Sequence, residues 1–168
     1  MTAAAIAHGT VPFPVGEVHS SDFTALDAVL GEEFQGTKGR VYRLVKSTAA
    51  VASPATLCFK RTTNGGDAVS LTDGTANNCC GVAVSDQVAL AAGDYFFLQV
   101  DGEMTLTGKS GHGILAGDYL MPSAASDDGK VEQSTTAGAD FQDGLPLRCH
   151  TKAGNVISAY PQRKLWGL

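Results

Sequence analysis

The sequence predicts an all-β protein: a compact β-barrel or β-sandwich of short strands, with an extended N-terminal arm and at most one short helix. Three observations carry this. Turn signals recur at short intervals, among them Asn64-Gly65-Gly66, Asp73-Gly74, Asp101-Gly102, Asp127-Asp128-Gly129 and Gly154-Asn155, leaving room for strands and little room for helices. The longest apolar stretch, Tyr95-Phe96-Phe97-Leu98, has the aromatic content of a strand buried on both faces. A phrase also repeats: Leu90-Ala91-Ala92-Gly93-Asp94-Tyr95 returns as Ile114-Leu115-Ala116-Gly117-Asp118-Tyr119. In each copy Gly93 or Gly117 supplies a turn, Asp94 or Asp118 can bond its own backbone, and an aromatic opens a new apolar run.

Taken in order, residues 1–22 read as an arm, with Pro12-Phe13-Pro14 favouring extended backbone. Residues 23–160 read as one β domain, and 161–168 as a tail. The helix candidate runs from Ser20 to Gly31, with Phe23, Leu26 and Leu30 on one face. Glu33-Phe34-Gln35 and the run from Arg40 to Lys46 are strands joined by a turn over 36–39. Residues 47–55 form a connector, Thr56 to Lys60 a short strand, most of 61–80 loop, and Gly81 to Ser85 a strand. Phe96, Leu98, Val100, Met104 and Leu106 share parity, which predicts one long strand bent or bulged at Gly102. Beyond the second repeat, Leu120-Met121 is cut by Pro122, and a turn at Asp127-Asp128-Gly129 leads into a strand over 130–133. The segments 145–150 and 156–160 then form a hairpin about a five-residue loop, Thr151 to Asn155.

With 168 residues the chain suits one domain, and 43% hydrophobic content with only 7% aromatic implies a thin core that leaves surface for a partner. The net charge of −5 argues against nucleic acid, whose phosphates need clustered Lys and Arg. No apolar run approaches the ~20 residues of a membrane helix. The N-terminal residues lack a basic n-region, so synthesis in a cytoplasm is expected, and with it Cys58, Cys79, Cys80 and Cys149 as reduced thiols.

The search for chemistry returns no catalytic, cofactor or metal constellation. Gly108-Lys109-Ser110 resembles the end of a phosphate-binding loop, but the required upstream glycine position holds Glu103. His8, His19, His112 and His150 are isolated, no Cys-x-x-Cys is present, and Cys149 and His150 are strand neighbours on opposite faces. A carrier or small-molecule-binding β-barrel is the alternative reading, with Lys109 as the lysine to modify, though it lacks the flanking residues of a biotinyl or lipoyl site.

In their order, these segments resemble the capsid cement, or head decoration, proteins of tailed bacteriophages. The resemblance rests on Leu30-Gly31-Glu32-Glu33-Phe34, the run Gly39 to Val45, Gly81-Val82-Ala83-Val84, the run Ala92 to Val100, Ala116 to Leu120, and the terminal hairpin. It covers roughly residues 30–160. It implies a structural virion protein on the capsid exterior, a homotrimer at threefold or quasi-threefold positions with the major capsid protein as partner. No enzyme activity, cofactor, nucleic acid or membrane is implied. The arm and tail carry no family motif, and their residues suggest the anchors: Phe13 between two prolines, and Arg163, Lys164 and Trp166 beyond the last strand. The other reading of Trp166 is a plug for the open end of the barrel.

Overall fold

Eleven strands occur among the residues that this computed structural model describes, namely 15–18, 30–62, 67–73, 79–123, 127–134 and 147–161. They are β1 (Glu33–Gln35), β2 (Val41–Ser47), β3 (Cys58–Arg61), β4 (Ala68–Leu71), β5 (Cys79–Ala83), β6 (Tyr95–Asp101), β7 (Met104–Thr107), β8 (Tyr119–Pro122), β9 (Val131–Gln133), β10 (Leu147–Ala153) and β11 (Val156–Pro161). The first six make one sheet and the last five another. The all-β expectation therefore holds, and the architecture is a closed barrel with a second sheet against it.

The barrel runs β2-β4-β3-β5-β6 and closes because β6 pairs back onto β2. β1 joins β2 through a tight connection in which Lys38 and Gly39 take φ of 58° and 71° and the Gly36 N–H donates to the Arg40 carbonyl. Inside the barrel lie Val45, Phe59, Val69, Ala83, Phe96 and Leu98. Phe59 and Phe96 meet edge to face, their centroids 5.2 Å apart. Burying either ring stabilises by about 2–3 kcal/mol. Gly81 is required here, because a Cβ at that position would stand 2.7 Å from the Leu98 Cβ.

The opposite side chains of β2 and β6 are also buried. Tyr42, Leu44 and Phe97 pack with Phe34 and Val84 on the barrel's outer side, and Phe34 meets Phe97 edge to face at 5.5 Å. Double burial explains why β6 opens on a continuous apolar run, Tyr95-Phe96-Phe97-Leu98, and why β2 buries residues on both faces, with Arg43 and Lys46 only half-buried. Residues 15–18 of the arm touch both clusters: Val15 packs on the outer one and Val18 on the barrel core, and the Gly16 carbonyl accepts from the Val88 N–H and from Gln87 Nε2.

The second sheet runs β7-β11-β10-β8-β9 and curls until its two edges touch. Gly108 bridges to Val131, and the Lys109 N–H donates to the Val131 carbonyl at 2.9 Å. Its inner face carries Met104, Leu106, Ile114, Leu120, Val131, Leu147, Ile157 and Ala159, which pack against Cys58, Cys79 and Val82 of the barrel. A bulge makes this seam. Lys60 pairs with Cys79 and Phe59 with Gly81, so Cys80 is an extra residue on β5. Cys79 then turns towards the second sheet and Cys80 towards the barrel core.

Several sequence expectations need correction. Residues 95–106 are not one strand: β6 belongs to the barrel and β7 to the second sheet. The shared parity of the apolar residues holds on each side of the corner, but Phe96 and Leu98 serve one core while Met104 and Leu106 serve another. Gly102 turns the corner at φ 81°, its N–H held by Asp101 Oδ1, and a Cβ there would stand 2.9 Å from the Arg40 Cα. Gln99 Nε2 clamps the corner through the Asp101 and Glu103 carbonyls at 3.0 and 2.8 Å. The stretch expected as loop over 61–80 contains β4, which pairs in parallel with the end of β2. Pro122 does not break its strand but ends β8 opposite Val131. The last hairpin is tighter than expected, because Ala153 pairs with Val156 across Gly154-Asn155 alone. With positive φ confined to the first turn residue, Gly154 at 61°, this fits a type II′ connection. The helix expected from Ser20 falls outside the described residues apart from Leu30 and Gly31, which form a turn.

Candidate functional site

The repeated phrase is a repeated structure. In the first copy the Asp94 carboxylate accepts from the Ala91 N–H at 2.7 Å, and the Gly93 N–H donates to the Ser47 carbonyl at 2.8 Å. The Ser47 N–H in turn donates to the Asp94 carbonyl at 2.8 Å. In the second copy the Asp118 carboxylate accepts from the Leu115 N–H at 2.7 Å. Gly117 donates to the Cys149 carbonyl and Cys149 to the Asp118 carbonyl, each at 2.8 Å. Gly93 and Gly117 have φ of 95° and 92°, a region that glycine enters without steric cost. One copy starts β6 beside the end of β2, and the other starts β8 beside the start of β10. The turn roles expected for Gly93, Asp94, Gly117 and Asp118 are the roles they have.

Each copy also places a cation on its tyrosine. Lys46 pairs with Tyr95 across the strands, and its Nζ lies 5.2 Å from the ring centroid. Arg148 pairs with Tyr119, and its guanidinium carbon lies 5.6 Å from that ring. Such contacts contribute about 0.5–1 kcal/mol at exposed sites. The cations escaped the sequence reading because cross-strand neighbours depend on a register between distant segments. A signal was present: Val45-Lys46-Ser47 and Leu147-Arg148-Cys149 share an apolar, cationic, small order.

The copies differ in what surrounds them. Tyr95 packs against the outer barrel cluster with Phe34 and Phe97. Tyr119 begins a row across the outer face of the second sheet, where Arg148 pairs with Tyr119 on one side and Tyr160 on the other. Glu103, just before β7, comes next. The adjacent row is all hydroxyl: Thr151, Ser158 and Thr105. His150 sits at a bulge in β10 and meets the Tyr160 ring edge to face at 5.5 Å. Ser158 Oγ donates to Glu103 Oε1 at 2.5 Å. That bond holds the Glu103 carboxyl below the usual carboxylate range against desolvation, with His150 and Tyr160 adding in the same direction. Gly117, Arg148, Cys149, His150 and Tyr160 line an open depression of about 290 Å³.

The other residues singled out by sequence are accounted for locally. Lys109 pairs with Glu132 at 3.2 Å instead of standing at a hairpin tip. His112 braces a loop: its Nδ1 accepts from the Ile114 N–H at 2.9 Å, and its Nε2 lies 3.4 Å from the Gly154 carbonyl. All four cysteines are free thiols. The neighbouring Cys79 thiol and burial push Cys58 well above the ordinary thiol range, and burial pushes Cys80 up to about 12. Burial also raises Cys149, whose side chain faces inward while His150 faces out. Among the described residues no group of three or more His, Cys, Asp or Glu is placed to hold a metal, and no helix is long and apolar enough to cross a membrane. The expected anchors Phe13, Arg163, Lys164 and Trp166 lie outside the described residues.

No protein-family model matches the chain, and no curated protein matches it. Among solved structures it is similar to the N base of the head fibre gp8.5 of bacteriophage phi29, at a TM-score of 0.44 and 12% identity, covering 73% of this chain and 94% of that one.

Proposed function

We propose that the chain is a non-catalytic structural protein of a phage virion, which binds the outer surface of the capsid as a homotrimer at threefold or quasi-threefold positions and stabilises the shell. The observation that carries this reading is the order of segments resembling head decoration proteins, which fall on the framework of the fold. They comprise β1, β2, β5, β6, both Gly-Asp turns and the last hairpin. Gly93, Asp94, Gly117 and Asp118 are engaged in holding strands, which supports a structural role for the repeat. The carrier-barrel alternative loses support from Lys109, which is tied to Glu132 and β9.

A trimer centred on a threefold lattice point gives every protomer the same contact, so three weak attachments act together. The ends are the proposed anchors, with Phe13 from the arm and Arg163, Lys164 and Trp166 from the tail. The test is co-sedimentation with heads assembled from the cognate major capsid protein, with sedimentation equilibrium on the free protein. Deleting residues 162–168, or replacing Phe13→Ala, is expected to weaken binding at least about tenfold, or about 1.4 kcal/mol, with melting unchanged. A protein that fails to bind heads overturns the reading. A tail deletion that melts early makes Trp166 part of the core and removes the tail as an anchor.

A further inference from the structure

Among the described residues Arg148 is a cation held in place without an ion-pair partner. Its Nε donates to the Gly117 carbonyl at 2.9 Å, and its guanidinium lies over the Tyr119 ring. Both contacts fix the plane of the fork. Among the described residues no carboxylate forms an ion pair with it, whereas Arg43, Lys60, Arg61, Lys109 and Lys130 each have one. With Nε engaged, the edge formed by the two terminal nitrogens has no hydrogen-bond partner among the described residues and can face a ligand. That edge belongs to the wall of the depression shared with His150 and Tyr160.

The surroundings select the ligand's charge and shape. The backbone donors of the adjoining turn are used internally, Gly117 N–H on the Cys149 carbonyl and Asp118 N–H on the Leu115 carbonyl. No nest of free N–H groups is left to receive a phosphate. One guanidinium edge matches one planar carboxylate through two parallel hydrogen bonds. The rings of His150 and Tyr160, edge to face, offer ring surface with polar tips to the body carrying that carboxylate. The volume of about 290 Å³ admits a single ring. Glu103, just before β7, lies beyond β11 from Arg148; its carboxylate is engaged by Ser158 and by Tyr160 on the far side of the rings, so the carboxylate of a ligand is directed to the Arg148 end of the depression.

We propose that the depression between Gly117, Arg148, His150 and Tyr160 is a binding site for a small ring-bearing carboxylate, clamped by the terminal nitrogens of Arg148 and packed against Tyr160 and His150. Lys46, the counterpart of Arg148 in the first repeat, is a point charge without a fork and serves as the internal control.

The experiment is a titration of the full chain, followed by backbone chemical shifts, with benzoate and sodium glucuronate. Benzamide and glucose are their neutral counterparts. At least one carboxylate should saturate with a dissociation constant in the millimolar range, about 1–20 mM, with shifts centred on residues 117–119, 148–150 and 160. Its neutral counterpart should bind at least about tenfold more weakly. Tighter binding of benzoate identifies a planar aromatic acid, and tighter binding of glucuronate a sugar acid. Arg148→Gln should abolish saturation, Arg148→Lys should weaken binding about tenfold while keeping the charge over Tyr119, and Lys46→Gln should change nothing. Melting curves of each variant separate lost binding from lost fold, and Arg148→Lys remains decisive if Arg148→Gln is unstable. Failure of both carboxylates to saturate, equal binding of the neutral counterparts, or full binding by Arg148→Lys would overturn the proposal.

Discussion

Thr56 and Thr107 share a hydrogen bond of 2.6 Å between their hydroxyls, joining the approach to β3 to the end of β7. The Thr107 N–H also donates to the Thr56 carbonyl, so the barrel and the second sheet are sutured twice at this point. Thr56 makes these contacts at φ 62°, a left-handed conformation that costs a β-branched residue about 1–3 kcal/mol. Thr107→Val removes only the hydroxyl bond and should lower stability by about 1 kcal/mol in urea denaturation. Thr56→Gly removes the same bond but relieves the strained backbone, so its loss should be smaller. A larger loss for Thr56→Gly than for Thr107→Val would show that the left-handed residue is not strained.

The paired turns allow a comparison within one chain. Asp94 is buried and Asp118 half-buried, although each accepts from the backbone N–H three residues before it, of Ala91 and Leu115 respectively. Removing a buried acceptor leaves its donor unsatisfied at a cost of about 1–3 kcal/mol. Asp94→Ala should therefore cost more than Asp118→Ala, for which about 0.5–1 kcal/mol is expected because water can replace the carboxylate. The two sites lie in different sheets, so the double variant should equal the sum within about 0.5 kcal/mol. Equal single losses would mean that burial does not set the strength of the cap.

The cysteines should react in an order set by their surroundings. In denaturant without reductant, all four should take up alkylating agent, as free thiols must. In the native protein Cys58, Cys79 and Cys149 are shielded by the core. Cys80 is only half-buried, yet with its thiol pushed up to about 12 only about one molecule in ten thousand is thiolate at pH 8. Intact mass after brief native alkylation should thus show almost no addition. A pair that stays unmodified in denaturant would be a disulfide and would contradict the free-thiol assignment.

Glu103 gives the acid limb of the stability profile a defined contributor. Its carboxyl titrates below the usual value in the folded chain because Ser158 donates to it, whereas the unfolded chain has the ordinary glutamate value near ~4.3. The folded state binds this proton more weakly. The contribution is therefore fully present above the unfolded value and is lost as pH falls through the folded one. Ser158→Ala should lower stability at pH 6 to 7, and the gap from the parent should close as pH drops below about 4. A gap that stays constant across that window would place the effect of Ser158 in packing.

How much of this was readable in advance depended on how local each feature is. The β1–β2 connection is written in four consecutive residues, 36–39, and β6 announces itself through Tyr95, Phe96, Phe97 and Leu98. The turn aspartates were visible because the chain states them twice. β4 was missed because Ala68–Leu71 is too short for a periodicity, and its place is decided by β2 and β3. The corner at Gly102 was missed because parity fixes which face a side chain takes but not which core lies on that face. Lys46 and Arg148 were missed for a related reason: their tyrosines lie 49 and 29 residues away in sequence (95 − 46 and 148 − 119), and only strand register brings them together.

The two sheets are consecutive in the chain, the first drawn from residues 33–101 and the second from 104–161. During synthesis at about 5–20 residues per second, the barrel can close while the later half is still being made. It does so with one flank unfinished, because Cys58, Cys79 and Val82 await the inner face of the second sheet. The nascent chain thus carries an oily seam for several seconds, and that seam is the surface on which the later strands can condense or on which two unfinished chains can adhere. Slow translation beyond Gly102 would lengthen that exposure, and a chaperone binding site on the half-made protein is expected there.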